Sequence, residues 1–293
     1  MINVDYEDEF VKAAALNRRM MEGLAVSAER LRAFPLDARD VLISGYTKSG
    51  TNWLQVIVAN LWDDWENLRV EKAVPNLAGQ DAEGYRGNAA CLAVGAPRLA
   101  KIHVSRYEMP DVWPENGKVI HITRNPKDVC VSLFYELRKL PRRRTEIAEM
   151  PRVEDKSFHV KRFVAGCVPW GPYLHNILSW RTFHHPNLLH VTYEEAKRDV
   201  RATIEKIVAF LGRPVEHGRI DEVIAKTDFK AMRNSDLRLQ INHPDQGEDT
   251  SAPFMRKGIV GDWRNELSEA DAELIDSCIV DPLERSGVFL DYG

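Results

Sequence analysis

Short, nearly continuous apolar runs along the chain alternate with longer stretches in which apolar positions recur every three or four residues. "DVLISGY" (Asp40 to Tyr46), "KVIHIT" (Lys118 to Thr123) and "NLLHVTY" (Asn187 to Tyr193) read as buried strands, and each passes directly into a segment of helical spacing. That alternation predicts an α/β fold with a central parallel sheet flanked by helices. Thr51 suits the start of the helix "TNWLQVIVANLWDDW", and Pro126 suits the first position of "PKDVCVSLFYELRKL". Both helix N-termini then fall at the carboxyl edge of the sheet, where strand ends, loops and positive helix ends converge on ligands. A further short strand is expected in "LAKIHV", which sets Lys101 and His103 two positions apart and on one face. No repeat or Gly/Ser linker divides the sequence, so residues 1–293 are expected to form one domain. The stretch from Asn234 to Gly261 lacks periodicity and reads as a long functional loop.

Composition narrows the partners. Hydrophobic residues at 44% support a sizeable core, while a formal net charge of -4 provides no global positive field for nucleic acid or an anionic membrane. Any anion must be held locally. The N-terminus "MINVDYEDEF" is acidic where a secretory leader would be basic, and "WLQVIVANLW" is about half the roughly 20 residues that a membrane helix needs. The four cysteines, Cys91, Cys130, Cys167 and Cys278, have no paired spacing. Reduced thiols in a soluble cytoplasmic protein are expected.

The segment "GYTKSGTNW" (Gly45 to Trp53) lies between the first strand and its helix. Gly50 permits close backbone approach, so several amides point at one spot where the helix dipole favours an anion. In a Walker-type loop the lysine follows the last glycine, with a hydroxyl for magnesium behind it. Here Lys48 precedes Gly50, and Thr51 and Asn52 follow. On this segment alone, a phosphate-like ligand and a plain strand-to-helix turn with an exposed lysine both remain open.

"YTKSGTNW", "ITRNPKDVCVS" (Ile122 to Ser132) and "FMRKGIVGDWRN" (Phe254 to Asn265) together resemble, in order, the 5′-phosphosulfate loop, the 3′-phosphate segment and the C-terminal nucleotide loop of the cytosolic sulfotransferases. "FVAGCVPWGPYLHNILSW" and "HVTYEEAKRD" between them are also similar to family segments, so the likeness runs from about Val41 to Arg264. The resemblance implies a P-loop-kinase-like sulfotransferase fold. It also implies 3′-phosphoadenosine 5′-phosphosulfate (PAPS) as donor, 3′-phosphoadenosine 5′-phosphate (PAP) as product, and no metal. By that likeness Lys48, Ser49, Gly50, Thr51, Asn52 and Trp53 receive the donor, and Arg124, Ser132, Arg256, Lys257 and Gly258 clamp its 3′ phosphate. Tyr193, Thr227, Phe229 and Met232 join Trp53 around the nucleotide. These types suit a dianion and a flat base, which need planar cations, hydroxyls and apolar faces.

Sulfuryl transfer to a hydroxyl is an in-line displacement in which positioning and electrostatics dominate. Among the nine histidines, His103 matches the family's base through the Lys-x-His pair with Lys101, followed by Pro110. The resemblance gives Lys48 the leaving phosphate and Ser132 a restraint on that lysine. His184, His185 and His243 stand beside Pro or Asn in expected loops and show no metal-ligand arrangement.

The chain departs from the family at Thr47, where proline is usual, and in "RNELSEADAE", which lacks the Thr-Val of the dimer segment. A homodimer stays open, but the family's usual route to it is not matched. The acceptor is expected to be a small apolar phenol or alcohol, lined by Asp63 to Ala90 and the regions of Phe134, Tyr135, Pro169 and Trp170. In the charged run Arg138 to Lys156 the basic stretch Arg142 to Arg144 would suit an anionic acceptor, but solvated surface is the expected reading. A nucleotide kinase or NTPase and a catalytically silent nucleotide-binding scaffold are the competing readings.

Overall fold

Four strands hydrogen-bond side by side in the order β2-β1-β3-β4: β1 Val41–Ser44, β2 Leu99–Ile102, β3 Lys118–Thr123 and β4 Leu188–Thr192. All three pairings are parallel, with Ile43 opposite Lys101 on one side and Ile120 on the other. The computed structural model describes residues 37–62, 96–109, 117–139, 154–168, 170–234 and 256–290. Residues 63–90, Arg142 to Arg144, Pro169, Cys91 and His243, which figure in the expectations above, lie outside them.

The pleat sorts β1 between two cores. Val41 and Ile43 face a cluster with Leu54, Ile57, Ile204 and Ile207, while Leu42 turns to Ala100, Ile102, Val119 and Trp180. The first cluster receives α1 (Thr51–Ala59), α6 (Val200–Leu211) and α7 (Arg219–Thr227); the second is closed by Trp180 of α4 (Tyr173–Arg181). Burial on both faces is why the strands read as continuous apolar runs. A third core joins α2 (Pro126–Lys139), α3 (Lys156–Val164) and α4 to α9 (Glu269–Ile275) and α10 (Asp281–Arg285), through Val129, Phe163, Ile177, Ile275 and Leu283. Two short helices, α5 (Tyr193–Arg198) and α8 (Phe229–Asn234), follow β4 and α7.

The structure trims several expected boundaries. α1 ends at Ala59, with Asn60 as its cap, six residues short of the expected end. β2 stops at Ile102, so His103 stands in the turn after the strand instead of on its face. No described helix is long and apolar enough to cross a membrane.

Candidate active site

The ends of β1, β2 and β3 open side by side, and the segments leaving them form the site. After β1, Lys48 (φ 65) and Gly50 (φ 101) both adopt left-handed backbone, which folds the chain tightly before α1. Gly50 has no room for a side chain: a Cβ there would stand 2.8 Å from the Tyr193 ring. That ring meets the indole of Trp53 edge-on at 5.6 Å, and Trp53 donates its N–H to the Thr227 carbonyl at 3.0 Å. Gly50 at the cap of α1, Trp53 on α1, Tyr193 of α5 and Thr227 of α7 are thus brought together. Thr227's own hydroxyl donates to Val223 within α7, so its link to the site runs through its backbone.

After β2, His103 bonds through Nδ1 to the Gly45 carbonyl at 2.8 Å. A carbonyl only accepts, so Nδ1 carries the proton and the neutral ring keeps its lone pair on Nε2. Burial, then the Lys101 ammonium and, less, that of Lys48 hold the imidazole at about 3, against the upward pull of the Gly45 bond. Lys101 donates to Asn52 Oδ1 at 2.9 Å, joining β2 to the loop. The turn is fixed from behind by one face of α4: Asn176 donates to the His103 carbonyl, Ser179 accepts from Arg106 N–H, and Trp180 donates to the Val104 carbonyl.

After β3, Arg124 lies 4.2 Å from the Tyr193 ring centre and donates to the carbonyls of Lys48 and Ile259, at 3.3 and 3.2 Å. It therefore touches the first loop and the C-terminal loop at once. Tyr173 donates to Arg124's own carbonyl, and buried Glu194 accepts the Asn125 N–H at 2.9 Å. Burial pushes the Glu194 carboxyl up to about 7, against the pull of those backbone N–H bonds. Asp128, also buried, accepts from Gly261 and Trp263 N–H at 2.8 and 3.0 Å and lies 3.6 Å from Arg124. It is the post to which the C-terminal loop is tied.

On that loop Gly258 (φ +68) packs so closely on Phe229 that a Cβ would meet its ring at 2.3 Å. Arg256 and Lys257 are already matched. Both bond to Asp262, and they reach Glu266 at 2.9 and 3.2 Å. Ser132 is half-buried on α2, and Met232 is buried on α8. Phe134 is buried against His159 of α3, and Tyr135 donates to Glu266 of the C-terminal segment at 2.7 Å. Among the described residues no group of three or more His, Cys, Asp or Glu is arranged to hold a metal ion.

Among the described residues the buried Ser49 Oγ and Arg124 Nε have no protein partner. An anion with several acceptor oxygens would satisfy both, and Gly50 and Gly258 give its approach to the backbone. The residues fit a phosphate-bearing nucleotide.

Residues 38–287 match the family model described as the sulfotransferase domain. The chain belongs to the sulfotransferase family. Sulfotransferase 1E1 of Bos taurus is 31% identical over 248 residues, covering 81% of each chain. A mouse sulfotransferase, SULT7A1, solved in complex with PAP, superposes with a TM-score of 0.73 at 25% identity, covering 88% of this chain and 89% of that one. Retinol dehydratase, at 22% identity and a TM-score of 0.76 over 100% of this chain and 97% of its own, shares the fold. This sulfotransferase is accordingly a PAPS-dependent enzyme, and the kinase and silent-scaffold readings are set aside.

Several supports of the sulfotransferase site had no signal in the sequence. Asp128, Glu194, Glu266 and the α4 face act through partners far along the chain, while Asp262 meets its neighbours Arg256 and Lys257; only Asp128 carried a hint, four residues after Arg124.

Proposed function

We propose that the enzyme transfers a sulfuryl group from PAPS to the hydroxyl of a small phenol or alcohol, with His103 as general base and no metal in the step. The observation that carries this is the His103 Nδ1 to Gly45 carbonyl bond, which leaves Nε2 as the unprotonated nitrogen in the same cluster as Lys48 and Lys101. When bound, the donor supplies an activated sulfuryl group on a phosphate leaving group.

His103 Nε2 takes the acceptor's proton as the acceptor oxygen bonds sulfur. Lys48 holds the charge that stays on the bridging oxygen when its bond to sulfur breaks, so proton and electron pair are both accounted for. Burial first and the Lys101 charge second keep the imidazole unprotonated, and Lys101 also anchors Asn52 beside the loop. Arg124, with Ser132 and the backbone near Gly258, grips the 3′ phosphate, and Trp53, Tyr193, Phe229 and Met232 receive the base. For Arg256 and Lys257 to join the grip, they must exchange Asp262 or Glu266 for phosphate. The PAP carried by the mouse neighbour supports the donor assignment.

His103→Ala is expected to lower transfer from PAPS to a panel of phenols and alcohols by about a hundredfold or more while PAP affinity holds. Lys48→Met is expected to lower the rate comparably, with EDTA having no effect on the wild type. Retained turnover in His103→Ala removes it as the base.

A further inference from the structure

Lys48 Nζ lies 3.1 Å from Glu136 Oε2, and the two side chains are only 14% and 22% exposed. Glu136 stands on α2 one turn beyond Ser132, so both project from one face of the helix. The cation assigned to the leaving oxygen thus has a half-buried carboxylate at its side. Among the described residues Lys48 is the one cation Glu136 meets.

That contact creates a charge problem as soon as the enzyme works. A phosphosulfate at the loop draws the Lys48 ammonium, and Glu136 is then a poorly solvated carboxylate beside a second anion. An unpaired charge in such a place is costly, whereas one matched by a new cation is not. The other cations of the cluster are engaged: Lys101 donates to Asn52, and Arg124 serves two backbone carbonyls and Asp128. His103 is neutral. A neutral acceptor leaves Glu136 uncompensated; an acceptor carrying an ammonium replaces the charge that Lys48 withdraws. We infer that Glu136 is a specificity determinant that selects a hydroxyl acceptor bearing an amine, an aromatic or aliphatic body with one cationic group. This rests on the sulfuryl-transfer reading above and names its substrate class.

The test uses the full chain and two phenols of similar shape, tyramine with its ammonium and 4-ethylphenol without it. Binding of each to the PAP-loaded protein is measured by calorimetry, and kcat/KM for transfer from PAPS is measured in parallel, for wild type and Glu136→Gln. Wild type is expected to bind tyramine at least about tenfold more tightly and to favour it to a similar degree in kcat/KM. Glu136→Gln is expected to lose that preference while its PAP affinity stays or rises, which also reports that the variant is folded. A wild type that takes 4-ethylphenol equally well overturns the inference, without need of the variant. A preference that survives in Glu136→Gln overturns it too. Equal acceleration of both phenols in the variant overturns it by reducing Glu136 to a restraint on Lys48. In those cases sulfation itself stands. Protein that binds PAP but sulfates neither phenol rejects the acceptor assignment and this inference together, and a protein that binds no PAP rejects the donor reading first.

Discussion

At the residue scale, the histidine chosen as base is governed by its neighbours. Its value of about 3 reflects burial first and the Lys101 charge second. Removing that charge in Lys101→Met is expected to raise it, and PAP, by matching both lysines, is expected to raise it as well. Imidazole NMR titration measures both shifts; no movement in either experiment would mean that burial alone sets it. The roles proposed for Lys48 and His103 rest on short local motifs in the sequence. The tautomer of His103 was not legible there, because it is fixed by the Gly45 carbonyl, 58 residues away on the neighbouring strand's loop. Glu136 was invisible for the same reason: at a helical position an acid looks like solvated surface until its partner 88 residues away is placed beside it.

Among the elements, the decisive joint is that between α2 and the C-terminal loop. Asp128 accepts two backbone N–H groups from that loop and faces Arg124, so Asp128→Ala leaves both donors and the guanidinium short of an acceptor. A loss of about 2–4 kcal/mol in urea unfolding is expected, with weaker PAP binding. Gly258→Ala forces a Cβ into the Phe229 ring and strains a positive φ, so the loop must lift. Its PAP affinity is expected to fall by about tenfold or more, and an unchanged Kd would detach the loop from donor binding. Strand identities were legible because buried parallel strands leave continuous apolar runs, as in Lys118–Thr123, whose expected and observed limits agree. The end of β2 was less so: nothing in "LAKIHV" announces that pairing with β1 ceases at Ile102.

For the molecule as a whole, pH should act mainly through buried imidazoles. His159 and His190 are held at about 4, His103 at about 3 and His121 well below its ordinary value, in each case by burial first. A depressed histidine binds fewer protons folded than unfolded, so stability falls as pH drops through about 6.5. Glu194, raised to about 7, works the other way between about 4.5 and 7, binding its proton more tightly in the folded chain. Four imidazoles outweigh one carboxyl. The melting temperature is expected to decline steadily from pH 7 to pH 4.5, and a flat or rising profile would contradict the burial seen at these sites.

The strand order has one more consequence for the proposed chemistry. With β1 between β2 and β3, the segment bearing His103 and the one bearing Arg124 leave the sheet on opposite sides of the Lys48 loop. Two inter-strand steps, roughly 10 Å, separate the strand ends from which these two segments leave. The sheet therefore acts as a yardstick with a direction. On the proposed assignment a donor would lie across it with its reactive end toward β2, and one truncated at the 3′ oxygen would reach a single mark and lose the alignment that the second gives.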